Sequence, residues 1–261
     1  KCQLWTASHS LGFIQYAQES AHAAILDFDQ FDFDVPHTLT PRVKDTTEVY
    51  EIAVPADALP KLFKDKTIIL CENKNDSLYQ SLGLPQKVFY GVADKNEVYY
   101  RVKNNSALHG LIDRDYMVDS EVAAIRRKLP SLHILHYYAF ENYLYHPENL
   151  REALPGFDVG AYRAEILRQK KAIYDEILLG LKQARSYKVL RDEKLEDPEA
   201  AMEIVNALKS DDLETFYPFF DMKGKFNRQS LAKLNLPDSK LARTGWFRTA
   251  IGKVFEQQES R

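Results

Sequence analysis

Asp113 and Asp115 stand two residues apart at the end of the apolar run Leu108-His109-Gly110-Leu111-Ile112. Carboxylates at i and i+2 that leave a strand at its carboxyl end can point the same way. Glu72 closes the run Thr67-Ile68-Ile69-Leu70-Cys71 in the same manner, and Glu141 follows the strand-like segment His133–Tyr138. Acids gathered from neighbouring strand ends form a set of hard oxygen donors. That is the preference of Mg²⁺ (or Mn²⁺), which takes one or two carboxylates together with water and substrate phosphate. Such a set serves phosphodiester cleavage, where the ion activates water and neutralises the leaving oxygen. A D-x-D pair alone is common in solvated turns; several strands that each end on an acid make the pattern specific.

The elements that must position these acids follow from periodicity. Thr67–Cys71 is continuous and β-branched, as in a parallel strand buried on both faces. Lys87–Val92, Leu108–Ile112 and His133–Tyr138 read as three more strands, with helices over Ser77–Leu82 and Ser120–Leu129. The second helix carries Glu121 in its first turn and Arg126, Arg127 and Lys128 in its last, as the helix dipole favours. This alternation predicts an α/β fold with a parallel sheet flanked by helices and a ligand site at the carboxyl ends of the strands. Residues 160–190 and 198–215 have helical spacing, which predicts a mainly helical C-terminal extension.

Upstream, Gln3–Thr6 and Ala23–Phe28 read as strands and Leu11–Ala21 as a helix. The strict alternation from Asp27 to Asp34 fits an edge strand with one solvated face and carries no assigned role. Pro36, Pro41, Pro55 and Pro60, with a strand over Glu48–Val54, read as connecting structure.

Composition bounds the rest. Lys plus Arg total 35 against 38 Asp plus Glu, a near-balance in which an acidic metal site and a basic groove would cancel, so charge has to be read locally. The two cysteines, Cys2 and Cys71, cannot build a disulfide framework, which points to a reducing cytoplasm. No run approaches the roughly 20 apolar residues that span a bilayer, so no membrane association is expected. The opening Lys1-Cys2-Gln3-Leu4, without Met, reads as the interior of a longer polypeptide.

At this point IILCENKND (68–76), LIDRD (111–115) and YYAFENYLYHPENL (137–150) resemble the TOPRIM domain of OLD-family ATPase-nucleases. The ENYL element is similar to the TOPRIM effectors of PARIS-type anti-phage systems. The resemblance covers residues 66–150. It implies that Glu72 is a metal ligand or general base, that Asp113 and Asp115 are metal ligands and that Glu141 is a further acid. The family usually carries Gly after the glutamate, where this chain has Asn73. LWTASHS (4–10) resembles the last core strand and switch histidine of ABC-type ATPases, which makes His9 a γ-phosphate sensor. No Walker A motif occurs in the 261 residues, so ATP would act only through an ATPase domain upstream or in trans. The resemblance therefore divides the chain into an ATPase remnant and connector (1–62), a TOPRIM core (63–150) and a helical extension (151–261).

In the basic stretch Met222–Arg228, the resemblance implies that Lys223 or Lys225 steadies charge at the cleaved phosphate, and Lys223, Lys225 and Arg228 would contact nucleic acid. Arg243, Trp246 and Arg248 suit stacking, with Trp246 read first as a core anchor. His133, His136 and His146 lie near the acids, but the odd separation of the first two puts them on opposite faces of a strand, against a zinc site. Cys71, inside a buried run, reads as core.

The expectation is a cytoplasmic, Mg²⁺-dependent endonuclease acting on DNA or tRNA in phage defence. It would be homo-oligomeric, gated by an ATPase and responsive to a phage-encoded trigger. The alternative is a non-catalytic module that docks on an ATPase and senses a phage protein, for which the acids are dispensable.

Overall fold

Four parallel strands carry the candidate site in this computed structural model, which describes residues 3–8, 11–26, 28, 34–36, 38–41, 44, 59–63, 65–186, 188–190, 193–194, 198–223 and 236–256. The chain enters through α1 (Leu11–Glu19) and α2 (Leu59–Leu62). It then builds β1 (Thr67–Cys71), α3 (Asp76–Gln80), β2 (Lys87–Gly91), α4 (Lys95–Asn104), β3 (Leu108–Ile112), α5 (Asp119–Lys128) and β4 (Leu132–Ile134). Next come α6 (Phe140–Leu144), α7 (Pro147–Ala153), α8 (Val159–Ala172) and α9 (Tyr174–Ser186). The short pair β5 (Lys188–Leu190) and β6 (Glu193–Lys194) leads to α10 (Pro198–Lys209), α11 (Leu213–Phe216), α12 (Asp238–Leu241) and α13 (Gly245–Glu256). The sheet order is β2-β1-β3-β4, all parallel, which meets the α/β expectation; the part after the sheet is mainly helical.

The period of two along each strand divides the interior into two cores. Ile69, Cys71, Phe89 and Leu111 face α6 and the C-terminal helices, where they meet Phe140, Phe247, Ile251 and Phe255. Ile68, Leu70, Leu108 and Ile112 face the other way, onto Val98 and Val102 of α4 and Val122 and Ile125 of α5. β1 is therefore buried on both sides, as its continuous apolar run predicts, and the helical extension shares a core with the sheet. Gly110 lets α4 lie close: a Cβ there would stand 2.5 Å from Val98 Cγ1. Asp94 caps α4, its side chain accepting from Glu97 N at 2.9 Å.

Several sequence expectations need correction. Residues 3–6 form no strand; Leu4 and Trp5 are 88% and 64% exposed, without a neighbouring strand to pair with among the described residues. Residues 23–26 are likewise without strand structure. β4 ends at Ile134 rather than at Tyr138. Beyond it the Tyr143 hydroxyl accepts from His136 N (2.8 Å) and turns the chain out of the sheet. His136 therefore lies in a loop and not on a strand face. The alternation over 27–34, the strand over Glu48–Val54, and His9, Lys225 and Arg228 lie outside the described residues, the first save for Phe28 and Asp34. No helix among the described residues is long and apolar enough to cross a membrane.

Candidate active site

Glu72 leaves β1 into a short 3-10 turn, Glu72–Lys74, in which Asn73 has φ 61°. This left-handed conformation is one that Gly adopts freely and that Asn tolerates better than most residues. Asp115 also sits in that region, with φ 50°.

The geometry brings three of the four expected acids round one lysine. Glu72 Oε1 accepts from Asp113 N at 2.5 Å. Asp113 Oδ1 accepts from Phe140 N at 2.9 Å, and its Oδ2 accepts from Lys223 Nζ at 2.6 Å. Lys223 Nζ lies 3.6 Å from Glu141 Oε2, a buried atom that has no hydrogen-bond partner among the described residues. Asp115 stands at the margin, where its side chain pairs with Lys95 and its N–H donates to Tyr138 O at 2.8 Å. Asp221 joins the set from the C-terminal side, with Oδ1 accepting from Lys223 N at 2.7 Å. The segment that carries Asp221 and Lys223 is anchored by buried Asn142, which donates to Tyr217 O (3.2 Å) and Phe220 O (2.7 Å). The Asn of ENYL is thereby a brace for the lysine.

Burial dominates the electrostatics. It lifts the Glu72 carboxyl from 4.5 to about 8, helped by the charge on Asp113 and opposed by the Asp113 N–H. Glu141 rises from 4.5 to about 7, again through burial, against the pull of Lys223. Asp113 and Asp221 are raised for the same first reason. Burial alone would weaken the Lys223 ammonium, but Asp113 and Glu141 overcome it and hold Lys223 charged. Among the described residues, five carboxyl groups (Glu72, Asp113, Asp115, Glu141, Asp221) thus share two ammonium groups, Lys95 and Lys223.

The donor chemistry fits a hard divalent cation: all oxygen, in excess over the local positive charge, with one Glu141 oxygen unsatisfied. In this conformation no three acidic, histidine or cysteine side chains among the described residues are arranged to hold a metal ion. Lys223 pairs with Asp113 and lies 3.6 Å from Glu141 in this arrangement.

Sequence reasoning missed Lys95, Asp221 and Asp76, the last buried in the first turn of α3. Asp76 follows Glu72 by four residues, a spacing that also describes an ordinary helix-start acid. Lys95 and Asp221 carry no local signal. Of the two lysines expected to steady the phosphate, Lys223 stands beside Asp113 and Glu141, and Lys225 lies outside the described residues. Trp246 stacks on His146 (4.3 Å between ring centres), which supports its reading as an anchor. His133 contacts His109 across β3 and β4 at 3.2 Å, and Cys71 is core. No protein-family model, curated protein or solved structure matches the chain.

Proposed function

We propose that this chain is a metal-dependent phosphodiester hydrolase of the TOPRIM type that cuts DNA or tRNA in bacterial defence against phage. The observation that carries the reading is the convergence of Glu72, Asp113 and Glu141 on Lys223 at the carboxyl edge of a parallel sheet, where ligands of such sheets gather. The excess of buried carboxyl groups supports it too: burial makes Glu72 and Glu141 hold their protons, and a divalent cation would let them ionise.

Glu72, Asp113, Asp115 and Glu141 would hold Mg²⁺ or Mn²⁺, with Asp221 at the margin. When bound, the ion supplies Lewis acidity and neutralises charge that builds at the phosphate. Glu72, which burial makes more basic than an ordinary carboxylate, would give up its own proton as the ion binds and then take one from the attacking water. Lys223, released from Asp113, donates to a phosphoryl oxygen. The gating ATPase, the phage-encoded trigger, homo-oligomeric assembly and the cytoplasmic setting belong to the same reading and rest on the resemblance.

A non-catalytic docking module is favoured by one observation: Lys95 pairs with Asp115, and Lys223 pairs with Asp113 and lies 3.6 Å from Glu141, so these acids have cationic partners within the chain itself. One experiment separates the two. Plasmid DNA and total tRNA are incubated with Mg²⁺, ATP, the ATPase partner and wild-type, Glu72→Gln or Asp113→Asn chain. Cleavage falls at least about a hundredfold in both variants, with unchanged circular dichroism. Equal cleavage by all three would contradict the active site, and phage defence that survives both substitutions would favour the docking module.

A further inference from the structure

Arg114, the residue between the two aspartates, is only 3% exposed, and its guanidinium is engaged on every side. Nε donates to Met117 O at 2.6 Å, Nη1 donates to His136 O at 2.9 Å, and Nη2 pairs with Asp119 Oδ1 at 2.8 Å. The plane lies over the Phe219 ring, 4.9 Å from its centre. Two of these partners, His136 and Phe219, belong to the segments that lead into Glu141 and Asp221. Residues 113–115 each reach the loop after β4: Asp113 through Phe140 N, Arg114 through His136 O, Asp115 through Tyr138 O. That loop runs straight into Glu141, and Phe219 lies two residues before Asp221 and four before Lys223.

We propose that Arg114 is a positioning residue of the site. Its rigid fork fixes the relative placement of the 113–115, 136–141 and 219–223 segments and thereby sets affinity for the divalent cation. The inference rests on the proposed function, whose ligands these segments carry. Two features argue for positioning over mere cohesion. The carboxylate partner, Asp119, is 84% exposed, so this pair is a poor way to gain stability from a buried charge. The planar five-donor group can reach two carbonyls and a carboxylate at fixed angles, which an ammonium cannot do.

The test is Mn²⁺ binding to the full chain, read by electron paramagnetic resonance without substrate, for wild type, Arg114→Met and Arg114→Lys. Hydrogen exchange at the Asp115 and Phe140 amides is followed in parallel. Arg114→Met keeps the stem over Phe219, and Arg114→Lys keeps the charge should the methionine variant fold poorly. Both folded variants bind Mn²⁺ about 10- to 100-fold more weakly, the cost typical of losing a group that orients a metal ligand, and lose protection at the two amides. Lysine does not restore affinity. A folded variant with wild-type Mn²⁺ affinity would overturn the role of Arg114 and leave the nuclease reading standing. A wild type that binds no Mn²⁺ would overturn that reading and this inference with it.

Discussion

Two sets of buried charge in this molecule are built on opposite plans. Arg185 of α9 meets Glu121 of α5 as a matched pair: Nη2 lies 2.8 Å from Oε1, Nη1 lies 3.2 Å from Oε2, and Nη1 also donates to Tyr116 O at 3.0 Å. One cation answers one anion in the bidentate geometry that suits both. At the carboxyl edge of the sheet, five carboxyl groups share two ammonium groups, and burial pushes Glu72 and Glu141 far from their ordinary values. A staple between helices has no reason to carry surplus charge. A site of the kind proposed, which would receive a cation, has.

Breaking the matched pair has the largest expected effect on stability. Arg185→Met leaves Glu121 nearly buried without its partner and costs about 3 kcal/mol, read as a lower melting temperature. Mn²⁺ affinity stays at the wild-type value, because the pair lies outside the acid cluster. A loss of affinity as large as that expected for Arg114 would erase the contrast between the two regions.

A smaller effect sharpens the unmatched side. Between pH 4.5 and about 8 the folded chain keeps a proton on Glu72 that the unfolded chain has released. Stability from this group is complete below pH 4.5 and is lost as pH rises through that window; Glu141 acts alike up to about 7. His133 and His146, held down to about 3 from 6.5, act in the opposite direction and only below pH 6.5. Melting in EDTA at pH 6.5 and pH 8 therefore isolates the carboxyl effect, a loss of about 1 kcal/mol for the wild type. Glu72→Gln, which can still accept from Asp113 N, flattens that slope. An unchanged slope in the variant would show that Glu72 is not the group responsible.

The parts of the site legible in the sequence are those that sit on regular elements. β1 and β3 announce themselves as unbroken apolar runs, so the acids that close them stand out. Asn73 looks like a departure until its positive φ is known, because only backbone geometry makes Asn an acceptable replacement for Gly. Lys223 reaches Asp113 across 110 residues of sequence, and no local pattern encodes such a contact. Arg114 is invisible for a related reason: its partners lie on two loops and a turn that only the fold assembles. His136-Tyr137-Tyr138 reads as strand because aromatic residues favour strands. In the fold Tyr137 packs against Tyr143 and Tyr217, and tertiary contact overrides propensity.

The most direct test is thermal melting of the wild-type chain, Asp113→Asn and Arg185→Met at pH 8, each in EDTA and in Mg²⁺. The account predicts that Mg²⁺ raises the melting point of wild type and Arg185→Met with the logarithm of its concentration, by about 2.7 kcal/mol of stability at a hundredfold excess over Kd, and leaves Asp113→Asn unmoved. No rise in the wild type, or an equal rise in Asp113→Asn, would contradict the claim that the unbalanced acids form a divalent-cation site.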